Sequence, residues 1–175
     1  MIYGFLETPV GRLLVARDPE GVRRIHFPGR GPAEAGHSVR RGSRRPPAGW
    51  ERHDAAFNDL ATQLSEYFDG RRRAFELPLA PEGTPFQLRV WNALLEIPYG
   101  ETISYGELAA RIGDRSASRA VGLANGSNPL PIVIPCHRVI GSNGTLTGYG
   151  GGLPIKERLL TLEGALPSRT FFHRF

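Results

Sequence analysis

From residue 1 to residue 27 apolar and polar positions alternate with the period of two that strands produce. Ile2 to Glu7, Leu13 to Arg17 and Val22 to Phe27 read as three strands. Turns at Pro9-Val10-Gly11 and at Asp18 to Gly21 divide them, which predicts a small antiparallel meander. The period then lengthens. Between Asp54 and Asp69, Phe57, Leu60, Leu64 and Phe68 recur on one helical face and Gly70 stops the run, so a helix is expected to cover the meander. Arg71 to Leu79 reads as one further strand, and Pro78, Pro81 and Gly83 mark a boundary.

Beyond that boundary the helix starts are explicit. Thr84-Pro85-Phe86-Gln87 is a capping box with proline at the first helical position, followed by an apolar stripe of Phe86, Val90, Leu94 and Ile97 that ends at Pro98-Tyr99-Gly100. Ser104-Tyr105-Gly106-Glu107 is a second capping box, opening a short helix with Leu108 and Ile112 inward and Gly113 as its C-terminal cap. Ser116 is placed to cap a third helix, Ala117 to Ala124. Two short helices across the Gly113-Asp114-Arg115-Ser116 turn have the spacing of a helix-turn-helix. A last helix runs from Pro154 to Glu163, with Ile155, Leu159 and Leu162 on one face and Gly164 as its stop. The pattern predicts an α/β (α+β) chain. A domain over 1–80 carries the antiparallel sheet and its helix, and a mostly helical domain over 84–164 carries a winged-helix-like helix-turn-helix. A tail over 165–175 is ordered only if Phe171, Phe172 and Phe175 find a groove.

Composition narrows the function classes. The stretch 28–49 is rich in Gly, Pro and Arg, without periodicity, and reads as a flexible basic surface loop: a solvated insertion, or an arm that touches DNA. The formal charge of +5 and a pI of about 10.0 favour an anionic partner, nucleic acid first and acidic headgroups second. Lys156 is the only lysine among 22 basic residues, a bias that a G- and C-rich genome would also produce. The single cysteine excludes an intramolecular disulfide and any cysteine-rich zinc or iron-sulfur site; scattered His26, His37 and His53 do not restore one. With no basic n-region, no apolar h-region and no apolar run of bilayer length, a cytoplasmic protein with no membrane partner is expected.

Candidate chemistry concentrates in Pro131-Ile132-Val133-Ile134-Pro135-Cys136-His137-Arg138-Val139-Ile140-Gly141. The proline-bracketed β-branched run reads as a buried strand that delivers Cys136 to its end. A lone cysteine there is either a small core residue or a nucleophile. His137 is the candidate base. Neighbours on a strand point to opposite faces, so a bridging water would have to link the two, and a carboxylate behind the histidine would set its tautomer. Glu163, in a final helical turn where the dipole disfavours an acid, is available for that task. The third helix is built of small residues, Ala117, Ser118, Ala120, Gly122, Ala124 and Gly126, with Arg119 as its one charge. Such a surface suits close packing inside the protein, or a shallow approach to DNA with little base-edge readout.

Ser104-Tyr105-Gly106-Glu107-Leu108-Ala109, Ser118-Arg119-Ala120-Val121-Gly122, Asn128-Pro129, Ile134 to Ile140, Gly148 to Leu153, Lys156 and Leu162-Glu163-Gly164 follow one another in an order and spacing that resemble the O6-alkylguanine-DNA alkyltransferases. The likeness runs from about Thr84 to Gly164 and extends to residues 1–80 in architecture only. It implies that Cys136 takes an alkyl group irreversibly from O6 of guanine, and less readily from O4-alkylthymine, in double-stranded DNA, with no diffusible cofactor and no metal. By the same resemblance Glu163 orients His137, which deprotonates Cys136 through a water. Tyr105 crowds a phosphate and protonates guanine N3, Asn128 braces the active-site segment, and Arg119 fills the vacated stack. Ala117, Ser118, Ala120 and Gly122 face the DNA beside it. Pro131 and Tyr149 wall the pocket, the carbonyls of Cys136 and Val139 read the exocyclic amine, and the Gly150 amide faces O6. A monomer is implied, with cooperative binding along DNA left open. Asn125-Gly126-Ser127 departs from the family pattern in lacking the bulkier or basic residues of some relatives. Two other readings stay open at this point. One is a non-catalytic helix-turn-helix regulator or lesion-sensing protein; the other is a thiol hydrolase, for which no oxyanion-hole motif stands out.

Overall fold

The computed structural model describes residues 1–28 and 46–166; Arg40, Arg41, Arg44 and Arg45 of the basic loop and the three phenylalanines of the tail lie outside them. Strands β1 (Ile2–Thr8), β2 (Gly11–Asp18) and β3 (Gly21–His26) form the expected meander. Thr8 pairs with Gly11 across the first turn and Asp18 with Gly21 across the second, and opposite Ala16/Arg17 the register shifts by one residue, leaving Arg23 of β3 as the bulged residue. Alternation puts Leu13 and Val15 inside, and the bulged Arg23 lets Val22 and Ile25, three residues apart, both face inward. A fourth strand, β4 (Glu51–Arg52), adds parallel to β1 and gives the order β3-β2-β1-β4. Two exposed charged residues carry no alternation, so the sequence pattern could not announce it.

The strand expected over Arg71 to Leu79 is not formed. The chain there is extended and touches the sheet through one parallel bridge, Leu79 to Val22, with Val22 donating to Pro78 O and Ala80 to Val22 O at 2.8 and 2.9 Å. Gly21 makes that approach possible: its φ is +147°, and a Cβ there would lie 2.3 Å from Pro78 O.

Helix α1 (Asn58–Phe68), entered through a 3-10 turn at Asp54–Phe57, covers the sheet. Phe57, Leu60 and Leu64 are fully buried as the period predicts, but the fourth inward residue is Tyr67 and Phe68 is only half-buried. Rotation of the stripe by one position brings a hydroxyl into the core, which needs a partner there. In the remaining chain come α2 (Pro85–Leu95), β5 (Ile103–Ser104), α3 (Tyr105–Arg111), α4 (Ser118–Gly126), β6 (Val139–Ile140) and α5 (Leu153–Leu162). Both predicted capping boxes are closed, Thr84 with Gln87 and Ser104 with Glu107. The start of α4 differs. Asp114, not Ser116, accepts from the Ser116 amide at 3.0 Å and opens a 3-10 turn, Arg115–Ala117, ahead of the helix. A carboxylate two residues earlier outcompetes the hydroxyl because it accepts from both the amide and the Ser116 Oγ.

Helix α4 packs on α2 through Val121 and Ala124, and Trp91 of α2 donates its indole N–H to Ala124 O at 2.8 Å. Strands β5 and β6 make a two-residue parallel ladder that ties the entrance of α3 to the segment following Cys136. The buried side chains of sheet and helices form one continuous apolar core. Among the described residues no helix is long and apolar enough to cross a membrane.

Replacing Gly21 by alanine is expected to cost about 2 kcal/mol or more, from the left-handed backbone and the contact with Pro78 O together. Urea denaturation should show a lowered midpoint with an unchanged slope.

Candidate active site

The proline-bracketed segment is not the strand its composition suggests. Ile132 has φ +75°, a costly left-handed conformation for a β-branched residue, and Ile134 N–H closes the turn onto Leu130 O at 2.8 Å. Asn128 holds both ends of it: Nδ2 donates to Ile134 O at 2.8 Å while Oδ1 accepts from the Leu130 amide at 2.9 Å. Pro135, at φ −81° and ψ 62°, then forms an inverse γ-turn, with Cys136 N–H on Ile134 O at 2.8 Å. Cys136, His137 and Arg138 follow as a 3-10 turn, and the strand comes only after them. Strand alternation therefore does not govern how Cys136 and His137 point.

His137 is wholly buried, and its Nε2 lies 2.7 Å from Glu163 Oε1. Because a carboxylate only accepts, Nε2 carries the proton and Nδ1 is left with its lone pair. Burial holds the imidazole below its ordinary pKa, against the opposing pull of Glu163, so the ring is a neutral base. Glu163 caps the C-terminus of α5 and is itself buried. Desolvation would raise its pKa, but the hydrogen bonds from His137 and Arg138 win and lower it to about 2.

Sequence reasoning found this carboxylate but missed two of its partners. Arg138 donates Nε to Oε2 and Nη2 to Oε1, both at 2.9 Å, and its Nη1 reaches Ile97 O at 2.6 Å. Tyr67 donates its hydroxyl to Oε1 at 2.7 Å; burial and the neighbouring carboxylate both raise its pKa. The available signal for Arg138 was a charged residue inside an otherwise apolar stretch, which cannot be buried without a counter-charge.

Cys136 is 5% exposed, and burial raises its thiol pKa to about 11, moderated by the Asn128 amide and the Lys156 charge. Lys156 is fully buried and donates to Val139 O at 2.6 Å and Thr147 O at 2.8 Å, clamping the glycine-rich loop to the segment after the cysteine. Burial lowers its own pKa to about 8.

The thiol faces a pocket lined by five of the predicted residues, Asn128, Pro131, Cys136, Tyr149 and Gly150. Val139 is buried beside the turn and is not on the lining, and Tyr105 stands outside it, half-buried on α3, accepting from Thr147 Oγ1 at 3.2 Å. Asn125 and the end of β3, Ile25 to Phe27, also line the pocket. Ile25 N–H donates to Pro129 O at 2.9 Å, and the Phe27 ring lies 5.6 Å from that of Tyr149. Gly151 permits that contact, since a Cβ there would come within 2.9 Å of Phe27. On α4, Arg119 and Ala120 are exposed while Ser118 and Gly122, like Ala117 in the turn before it, are partly covered.

Residues 85–165 match the family described as 6-O-methylguanine DNA methyltransferase, DNA binding domain, and residues 1–81 match its ribonuclease-like domain. A methylated-DNA–protein-cysteine methyltransferase of Methanosarcina acetivorans is 50% identical over 166 residues, 94% of this chain and 99% of the relative. One from Haemophilus influenzae is 43% identical over 166 residues, 93% of this chain and 86% of the relative. The crystal structure of Mycobacterium tuberculosis OGT in complex with DNA superposes with a TM-score of 0.83 at 42% identity, covering 94% of each chain.

Arg138→Met strands the buried carboxylate and is expected to cost about 3–5 kcal/mol at pH 7. In the parent protein the depressed Glu163 pKa contributes stability above the unfolded value of 4.5, lost as pH falls towards 2; without Arg138 that loss sets in at higher pH. Guanidinium denaturation from pH 7 to pH 3 measures both, and a variant within about 1 kcal/mol of the parent at pH 7 would contradict the assignment.

Proposed function

Because this chain belongs to the 6-O-methylguanine DNA methyltransferase family, we propose a division of labour among its residues for the reaction that defines that family. The protein repairs DNA by moving an alkyl group from O6 of guanine to a cysteine of its own. The observation that carries the assignment is that the chain has one cysteine, Cys136, beside the buried His137–Glu163 pair.

In this reading the lesion is first rotated out of the duplex, because O6 of a stacked base is beyond the reach of a protein thiol. Arg119, exposed on α4 and without a hydrogen bond or ion pair among the described residues, fills the gap. Tyr105 crowds the phosphate behind it, and Ala117, Ser118, Ala120 and Gly122 let α4 lie close to the groove. The flipped base enters between Tyr149 and Pro131, with the Gly150 amide on O6. Cys136 Sγ attacks the alkyl carbon, the S–C bond forms as the O6–C bond breaks, and the electron pair leaves with the base. The thiol proton passes through water to His137 Nδ1, and Glu163 stabilises the imidazolium through Nε2. Tyr105 supplies a proton to N3 of the departing guanine. The thioether cannot be hydrolysed by this machinery, so each molecule acts once; O4-alkylthymine, with a smaller ring, is a poorer substrate. A regulator that merely binds DNA would have no use for a nucleophile in its pocket.

Mixing the protein with an O6-methylguanine duplex should add about 14 Da, one methyl replacing a hydrogen, to the peptide containing Cys136, with Cys136→Ser inert. Intact protein that gains no mass would refute the assignment. Arg119→Ala should slow repair in duplex DNA by about tenfold or more while barely affecting reaction with free O6-benzylguanine, which needs no flipping. Equal slowing of both would remove Arg119 from the finger role.

A further inference from the structure

Tyr105, the first residue of α3, and Thr147, in the glycine-rich loop, meet through their hydroxyls: Thr147 Oγ1 donates to Tyr105 Oη at 3.2 Å across 42 residues of sequence. Thr147 directly precedes Gly148, and Gly148, Tyr149 and Gly150 line the pocket that Cys136 faces. The pair therefore stands at the edge of that pocket. Tyr105 has the proton-donor role in the proposed reaction, whereas Thr147 has no part in it so far.

Both side chains are held. The Tyr105 ring lies over Gly122 of α4, where an added Cβ would sit 3.8 Å from it, and the capping box of Ser104 and Glu107 fixes the backbone that carries the ring. Thr147 is exposed, yet its carbonyl accepts from the buried Lys156 Nζ at 2.8 Å. The same ammonium holds Val139 O at 2.6 Å, and Val139 pairs with Ile103 on the strand that leads into α3. Lys156, Val139 and Ile103 thus run from the loop back to the start of α3, and the hydroxyl contact closes the circuit. A bond between two neutral hydroxyls near solvent adds little to stability; its consequence for the phenol is larger.

A tyrosine hydroxyl has one hydrogen to give. With Thr147 Oγ1–H on its oxygen, that hydrogen is left free for another acceptor. When it passes to N3 of the departing guanine, N3 gains the proton, the electron pair of the O–H bond stays on Tyr105 Oη, and the phenolate takes a proton back from water. A donor already aimed at that oxygen matters most at this moment, because a hydrogen bond to an ionised acceptor is about twice as strong as one to a neutral acceptor. We propose that Thr147 is a positioning residue for the proton donor: its hydroxyl, set in place by the Lys156 clamp, keeps the Tyr105 O–H free for guanine N3 and stabilises the phenolate left behind. Thr147 acts through Tyr105 and does not touch the base. This rests on the alkyl-transfer reading, in which Tyr105 protonates N3.

The test compares a duplex carrying O6-methylguanine with one carrying O6-methyl-3-deazaguanine, in which C–H replaces N3, in single-turnover assays with full-length protein. Each lesion is compared with itself across variants, so differences in flipping cost cancel. Thr147→Val keeps the shape and the carbonyl that Lys156 holds. It should slow O6-methylguanine repair about 5- to 20-fold, change 3-deaza repair by less than about twofold, and cost nothing further in a Tyr105→Phe background. Thr147→Ser should bring the rate back to within about twofold of the parent. Equal slowing of both lesions, an undiminished effect on top of Tyr105→Phe, failure of Thr147→Ser to restore the rate, or no slowing at all would overturn the inference. Should Thr147→Val fail to fold, Thr147→Ala carries the same comparison with the same criteria. Tyr105→Phe tests the underlying reading by itself: equal slowing of both lesions would take the N3 proton away from Tyr105, whatever Thr147→Val does. If the unaltered protein transfers no methyl group from either duplex, the alkyl-transfer reading itself fails, a result distinct from any difference between variants.

Discussion

Four hydrogen bonds converge on one carboxylate at the C-terminal end of α5, where the helix dipole alone would repel it. Tyr67 arrives from α1, His137 and Arg138 from the turn that carries the cysteine, and Arg138 continues to the carbonyl of Ile97 beyond α2. Segments separated by up to 96 residues in sequence are thereby held to one point. A charge buried this deeply is tolerable only when it is hydrogen-bonded and an opposite charge lies alongside; Arg138 supplies the charge and one bond to each carboxylate oxygen, and Tyr67 and His137 add two more to Oε1. The histidine tautomer follows from the same contact. With Nε2–H committed to Glu163, Nδ1 is obliged to be the basic atom.

Burial then sets the resting chemistry of the thiol. At neutral pH a cysteine with a pKa near 11 keeps its proton, and a neutral imidazole stands ready to accept it. In the proposed transfer the thiolate is formed only as the reaction consumes it. With the thiol protonated and 5% exposed, the same burial disfavours oxidation, which proceeds through exposed thiolate. Lys156 tempers the effect of burial from the far side: its ammonium favours the developing thiolate while its two carbonyl acceptors fix it between Val139 and the glycine-rich loop.

Much of this was legible in the sequence because it is encoded locally. The meander, both capping boxes, the paired short helices and the Cys136–His137–Glu163 set were all available from period, spacing and resemblance. What failed was the conformation of Ile132 to Cys136. Three β-branched or apolar residues between prolines carry strong strand propensity, yet Asn128 and the Leu130 carbonyl claim the backbone groups that a ladder would use, and tertiary context overrides propensity. Tyr67 was hidden by a one-residue error in helical phase. β4 was hidden because two residues have no period. The pocket wall supplied by Ile25 to Phe27 depends on how the sheet meets the helices, information that no local pattern contains.

The small residues of α4, which admitted two readings at the outset, divide between them by face. Val121 and Ala124 are buried, Ala124 O accepts from the Trp91 indole of α2, and the Tyr105 ring lies over Gly122, where an added Cβ would sit 3.8 Å away in ordinary contact. That side is the packed one. On the opposite side Ala120 and Arg119 are exposed, together with Leu123 at 66%. A face with one guanidinium, one aliphatic side chain and otherwise methyl groups has few atoms able to form bidentate bonds to base edges. In the proposed reaction this face follows the shape of a groove in any sequence, as finding a damaged base anywhere in DNA requires. In the same proposal selectivity is left to the pocket, which the base enters after it has left the stack.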